Sequence, residues 1–458
     1  MAKELGRAIQ AHGIRVLLPW LLHIIKGHKS AGTHQTRSLI HWLVKGFWAV
    51  TDQGLFATSN FVLNILLARW LSPQDYGAFA VMFAVFLFLG TLHTGLLTQP
   101  MLVFGSGKYK NRLSEYLGTL LGGHLSFAIL SGFLLLLASL GLKLAGLSSL
   151  SMVLLDLTLA GPFILLLWLM RRACYMHLEP HLAASGGALY MALMLAGAYA
   201  LYLLEWLTTG SALGVMGFSS LVVSLWLAVR LHVKRPPPFR RDSLSRAALV
   251  DHWRYGRWSV AQEATTWAPG NIYFLLLPLW GGLEASASLK ALSNFVMPVS
   301  MGIVAFYSFL LPSLTQARGE ARFGTLVRNS LVLFVFGSVL YWLLLGLFHD
   351  PLVAWLYGGQ YREDAQLLWL LGSIPLAMSV QMILGATLQA FERPDQVFKG
   401  YAFSAILGLT LGVTLTFACG ITGAAVGLVA YAAATAGAIA YLSSGLDTTS
   451  TEGERKHT

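Results

Sequence analysis

Two stripes of polar side chains stand out at helical spacing. Asp52, Phe56 and Asn60 fall at i, i+4 and i+8, so they share one helix face, which Asn64 extends. Glu263, Trp267 and Asn271 repeat the stripe 211 residues later. A carboxylate on such a face can bind a proton or a cation, and a carboxamide can pair with a hydroxyl. An aromatic ring beside them can stack on a sugar. Asp52 and Glu263 each stand about two turns inside their segments, which leaves two readings open: cavity lining with ion coupling, or simple hydration near the membrane surface. Four arginines, Arg171, Arg172, Arg254 and Arg257, supply guanidinium forks that can hold an anion. The alternative for each is a plain anchor at the membrane surface. Asp156 stands near the end of its segment, where hydration accounts for it. His93 and His124 read as packing residues.

Other motifs lead to no chemistry. The "GSGK" at 105–108 lacks the upstream glycine and the following Ser or Thr of a phosphate loop. In "HLEPH" at 177–181, Pro180 interrupts the helix that a two-histidine zinc site needs. There is no Gly-x-Ser-x-Gly. The two cysteines, Cys174 and Cys419, lie in different segments and predict no disulfide. Neither a cofactor nor a metal is expected, and no enzyme chemistry.

The elements that carry these residues follow from composition. Of 458 residues, 56% are hydrophobic and only 11% charged, where soluble proteins carry about 25% charged residues. The apolar residues come in blocks long enough to cross a bilayer as helices. Spanning segments are expected at 47–69, 76–98, 117–140, 152–169, 187–205, 210–230, 258–280, 291–315, 329–348, 365–389, 400–418 and 421–442. The expected class is an all-α polytopic membrane protein of about twelve helices.

All but four of the 31 Lys and Arg residues fall in the tails and alternate loops on one side. The exceptions, Arg69, Lys143, Lys290 and Arg362, are expected in loops on the other side. This asymmetry puts both termini in the cytoplasm and the protein in the cytoplasmic membrane. The net charge of +11 is thus a topology signal, and no nucleic acid is expected as partner. The organisation read from the chain is a basic tail at 1–46, six helices over 47–230, a basic linker at 231–257, six helices over 258–442 and a tail at 443–458. The tail's apolar piece "IRVLLPWLLHII" (14–25) is too short to span, and the linker holds Pro236, Pro237 and Pro238 before a stretch suited to a surface helix. No cleavable leader is seen. An even number of spans per half makes the halves a parallel repeat about an axis along the membrane normal. A second echo pairs "RRACYMHLEPH" with "LQAFERPDQ".

The hairpin "LARWLSPQDYGAFAVMFAVF" resembles the first hairpin of polysaccharide and oligosaccharide-lipid exporters. "LVAWLYGGQYREDAQLLWLL" (352–371), "LQAFERPDQ" and "GITGAAVGLVAY" (420–431) are similar to later parts of the same family, in order, across residues 47–442. The larger group is the multidrug/oligosaccharidyl-lipid/polysaccharide (MOP) exporter superfamily. The resemblance implies two six-helix bundles around a central cavity. It also implies flipping of isoprenoid-diphosphate-linked oligosaccharide between leaflets, in surface-polysaccharide synthesis (O-antigen, capsule or exopolysaccharide), with membrane lipids, a polymerase and export machinery as partners. On that view Arg171, Arg172, Arg254 and Arg257 face the diphosphate at the cytoplasmic mouth, and Phe56 and Trp267 stack on sugar. No arginine is expected deep in a helix, a departure from the superfamily's peptidoglycan-precursor branch. The competing readings are an ion-coupled multidrug exporter and a membrane polymerase or ligase. The short outer loops count against the last.

Overall fold

The computed structural model describes residues 33–233 and 243–445, with side chains over 44–233 and 244–445. The 14–25 piece, the three prolines of the linker and the C-terminal tail beyond residue 445 lie outside the described residues. Thirteen helices follow in order: α1 Thr33–Trp70, α2 Pro73–Ser106, α3 Leu113–Leu144, α4 Ser148–Met176, α5 Pro180–Leu203, α6 Thr209–Arg230, α7 Ser243–Trp280, α8 Gly282–Asn294, α9 Met297–Ala317, α10 Arg322–Leu347, α11 His349–Tyr357, α12 Ala365–Ala390 and α13 Pro394–Ser444. No strand occurs among the described residues. Residues 243–257, read as a surface helix, continue without a break into the seventh span.

Among the described residues, nine of these helices are long and apolar enough to cross a membrane on composition. The longest, α13, makes two crossings, because Gly420 leaves helical geometry with φ of +58°. Its two legs then run antiparallel, and a β-carbon on Gly427 would stand 2.7 Å from Gly412 Cα, while one on Gly412 would run into the Tyr273 ring. The remaining two crossings are α1 and α7. These are the two helices that carry the polar stripes, which is why apolarity alone does not pick them out. The twelve crossings form the two six-helix bundles that the family resemblance implies.

The repeat is visible in atomic detail. Asn60 Nδ2 donates to the Phe56 carbonyl (2.8 Å), and Asn271 Nδ2 donates to the Trp267 carbonyl (3.0 Å), in the same register of 211 residues. The second echo has equal support. Leu178 and Glu392 both take positive φ at a helix C-terminus. In each case the next amide closes the turn, Glu179 to Cys174 and Arg393 to Leu388, before a proline opens the following helix.

Prolines decide where the second helix of each half bends. Pro100 has no N–H for the Leu96 carbonyl, and a π turn at Thr94–Thr98 precedes it. Pro298 follows the break between α8 and α9 at Phe295 and Val296. The first hairpin is a tight turn: the Ser72 hydroxyl caps α2 by accepting from the Asp75 amide (3.1 Å), and Pro73 takes the first position.

We call the face at which α1 begins and α13 ends the terminal face. The halves meet along α2, which lies against α8 near the opposite face and against α7 toward the terminal face. Gly77 meets the Leu283 main chain, and Gly95 meets Val260, too closely for any side chain. On the opposite face, Arg69 donates to the Trp355 (3.2 Å) and Leu356 (3.4 Å) carbonyls, and Gln360 donates back to the Arg69 carbonyl (3.3 Å). The short hairpin after α1 is thereby tied to α11 of the other half.

On the terminal face, the extension of α7 is strapped to the α2–α3 turn. Asp251 accepts from Lys108 Nζ and from the Tyr109 hydroxyl, both at 2.6 Å. Partial burial pushes the Asp251 carboxyl up, but these two donors outweigh it and hold the group below its ordinary value. A carboxyl lowered in this way stabilises the strap at neutral pH, and that contribution disappears as the pH falls through the lowered value. Asp251→Asn is therefore expected to lower stability by about 1 kcal/mol or less, as for other exposed pairs, and to flatten the acid limb of stability against pH. Thermal unfolding of detergent-solubilised protein between pH 3 and pH 7 reads this directly.

Candidate functional site

Half-way along α1, Asp52 is fully buried. It stands 18 residues from the far end of its helix, about 27 Å at the usual rise per residue, so it sits on the terminal-face side of the bilayer. Its Oδ1 accepts from Arg171 Nε (3.0 Å) and Arg171 Nη2 (2.8 Å), and its Oδ2 accepts from the Tyr175 hydroxyl (2.6 Å). The guanidinium also lies 3.9 Å from the centre of the Phe56 ring, whose other neighbour is Tyr190, stacked at 5.6 Å. Gly187 makes room, since a β-carbon there would stand 3.4 Å from Asp52 Oδ1. A lone carboxylate at this depth would be costly, and the fork of Arg171 with the Tyr175 hydroxyl satisfies it.

Asp52, Gln53, Phe56, Thr94, Thr98, Trp168, Arg171, Arg172 and Tyr175 line a cavity of about 190 Å³ between the helices of the first half. Arg171 is spent on Asp52. Its neighbour Arg172 makes no ion pair among the described residues and lies within electrostatic reach of Glu263 on α7. Glu263 is half-buried and has no ion-pair partner among the described residues. The two stripe carboxylates, equivalent in the repeat, thus differ in state because α4 supplies an arginine and its counterpart α12 does not.

A second cavity of about 240 Å³ lies in the other half, lined by Asn271, Phe274, Lys290, Ser293, Asn294 and Ser300 among others. The Lys290 ammonium stands 4.6 Å from the Phe83 ring centre, on α2, and 5.9 Å from that of Phe274, on α7. It has no carboxylate partner among the described residues. Asn294 donates to the hydroxyls of Tyr76 (3.2 Å) and Tyr357 (3.4 Å), while its carbonyl oxygen is buried without a partner.

The structure therefore brings Asp52, Phe56, Arg171 and Arg172 to one cavity and Asn271 to the other. Asn60 is half-buried on the α1 stripe, bonded to its own helix. Trp267 packs on Phe88 at 4.9 Å, with its ring nitrogen buried and unpartnered. Arg254 and Arg257 are exposed on the α7 extension and line neither cavity; Arg257 covers the Trp258 ring at 5.4 Å.

Two expectations are corrected. Arg171, expected in the turn after the fourth segment, is a buried residue of α4, because the helix continues about two turns past the expected end at 169 and turns Arg171 inward to Asp52. Lys290 is not in a loop. The helix begins at Gly282, and Lys290 stands eight residues inside it, about 12 Å. The small residues Ala285, Ser286, Ala287 and Ser288 were the available signal, since they allow close helix packing where apolarity is low.

No family model and no curated relative matches the chain. Solved structures do. A multidrug resistance MATE family transporter of the MOP superfamily, in an inward-facing conformation, aligns with a TM-score of 0.70 at 16% identity, over 88% of this chain and 99% of that one. The lipid II flippase MurJ, in an inward closed conformation, aligns with a TM-score of 0.67 at 13% identity, over 88% and 87%. A MOP superfamily transporter from Pyrococcus furiosus, described as having a binding pocket of reversed polarity, aligns with a TM-score of 0.61 at 16% identity, over 87% and 93%. With its two six-helix bundles, this chain has the fold of the MOP-superfamily transporters and flippases.

Proposed function

We infer that the protein moves isoprenoid-diphosphate-linked oligosaccharide across the cytoplasmic membrane by alternating access, for surface-polysaccharide synthesis. The organisation is the one read from the chain, with bundles over 47–230 and 258–442, both termini cytoplasmic, and the terminal face as the loading side. A polymerase and export machinery would receive the product. The observation that carries this reading is the charge of the cavities. Asp52 is cancelled by Arg171, which leaves Arg172 and Lys290 as cations without a paired carboxylate. Unpaired cations in a membrane interior cost about 2.5–3.5 kcal/mol each on insertion scales, and their presence points to an anionic ligand. Arg254 and Arg257 would gather the diphosphate at the surface and Arg172 would take it up. Asn60, Asn271, Phe56 and Trp267 would meet the glycan along the two stripes.

The test is the leaflet distribution of lipid-linked oligosaccharide in cells lacking the gene, read with an impermeant probe on spheroplasts. Complete units held on the inner leaflet support the reading. Units that reach the outer leaflet but stay unpolymerised would overturn it in favour of an enzyme.

A second reading, an ion-coupled multidrug exporter, is favoured by Glu263, a carboxylate free to bind a proton or cation. If Glu263 couples transport to an ion, Glu263→Gln abolishes gradient-driven transport while the protein inserts and unfolds as wild type does, because the side chain has no pair to lose. Unchanged flux in reconstituted vesicles would remove that role.

A further inference from the structure

One buried ionisable cluster belongs to neither cavity. His93 and His124 touch between α2 and α3, with His93 Nε2 3.1 Å from His124 Nδ1. His93 is fully buried and His124 nearly so. The rings cross edge to face at 89°, and Phe127 closes one side at 5.4 Å from His93. His93 Nδ1 is buried without a partner. A buried N–H without an acceptor is rarer than an unused lone pair, so His93 carries its hydrogen on Nε2 and donates it to His124. The order leaves one lone pair over, on His93 Nδ1.

The groups around the pair are known on every side. On α3 the ionisable neighbour is His124 itself. On α4 the packed neighbour is Trp168, one turn away against Gly90. On α7 Val260 lies against Gly95, and the nearest ionisable groups along that helix are Arg254, Tyr255 and Arg257, all exposed, the half-buried Glu263, and His252, bonded to the Leu96 carbonyl and the Tyr116 hydroxyl. Neither imidazole feels a charged group other than its partner. A dry site without counter-charge holds an uncharged pair, since burying an unpaired ion is costly.

His93 is also the residue before the π turn Thr94–Thr98. Such turns insert one residue into a helix and can be taken up or released as the helix straightens. The π turn lies where α2 passes from the first half onto α7, at the seam about which the halves would move.

We propose that the His93–His124 pair is a proton-binding site, empty in this conformation, whose occupation through His93 Nδ1 reshapes the π turn and shifts the balance between the two faces of the transporter. One proton adds to the lone pair of Nδ1 and no bond breaks. The imidazolium then keeps its hydrogen bond to His124. A site that is dry in one state and wetter in the other binds protons with different affinity in the two, and that difference moves the equilibrium. The inference goes beyond the transport reading and does not depend on the substrate.

The experiment measures the spacing of the halves without substrate. Spin labels at Glu179→Cys and Asp395→Cys, both exposed on the terminal face, report it by pulsed electron resonance in liposomes; Cys419→Ser removes the exposed native thiol, and Cys174 is buried. In otherwise wild-type protein the ratio of the two spacings is expected to change on going from pH 8 to pH 5, with a slope of at most about tenfold per pH unit, the limit for one linked proton. His93→Gln keeps a hydrogen-bonding group but has no Nδ1 to take the proton, and should make the ratio independent of pH; His124→Asn keeps His93 but changes its partner, and should shift the midpoint of the response. Glu263→Gln should leave the pH response intact. No pH response in the wild-type background overturns the proposal, whatever the variants do. So does a wild-type response in His93→Gln, or its loss in Glu263→Gln, which would place the proton on α7.

Discussion

Arg171→Met is expected to unfold the protein several degrees earlier and to stop transport. The substitution leaves Asp52 fully buried with one hydroxyl partner and no counter-charge. Removing one member of a buried ion pair costs about 3–5 kcal/mol. Loss of the guanidinium from the Phe56 face adds to it. Asp52→Asn is expected to behave alike from the other side, by stranding Arg171, so it cannot serve as a clean test of ion coupling. The double variant Asp52→Asn/Arg171→Met separates the two roles. With both charges gone no unpaired ion is buried, and thermal unfolding should return most of the way to wild type. Transport should remain impaired, because the pair also shapes the cavity and holds Arg172 beside it. Restored flux in the double variant would mean that the pair is structural only.

The second large effect is expected at Lys290, with the opposite pattern. Lys290→Met conserves length and removes a membrane-embedded ammonium that has no carboxylate partner. Stability should be unchanged or higher, since an unpaired charge in the interior is itself costly. Transport of an anionic substrate should fall about ten- to a hundredfold, the equivalent of one hydrogen bond to a charged group at about 1.5–3 kcal/mol. Lys290→Arg should keep part of the activity. Flux in proteoliposomes, compared with thermal unfolding of the same preparations, decides the matter. Normal transport by Lys290→Met would take the second cavity off the substrate's path.

These two residues mark the boundary between what could be read in the chain and what could not. Arg171 was visible as a basic residue after an apolar block, and such residues usually anchor helix ends. Only its inward rotation, which carries the guanidinium across to Asp52 on α1, makes it a buried partner. Lys290 was counted as a loop residue because α8 opens with small and polar residues in place of apolar ones. The helix exists because those small residues lie against α2, and sequence apolarity carries no record of that contact.

By itself the sequence determined that the chain crosses the membrane about twelve times, since no soluble core could hide so much apolar surface. It also determined where the helices turn, because Pro73, Pro180 and Pro394 cannot continue a preceding helix and Gly420 can take a positive φ at little cost. The repeat of 211 residues was legible, and the matched amides of Asn60 and Asn271 follow it. Tertiary structure alone decided which of two equivalent carboxylates carries a charge to spare. Asp52 and Glu263 occupy the same place in their halves, yet one faces an arginine from a neighbouring helix and the other does not. Likewise the contact of His93 with His124 joins residues 31 positions apart. A charge's state depends on what lies within a few ångströms of it, and in a helical bundle those neighbours come from other helices.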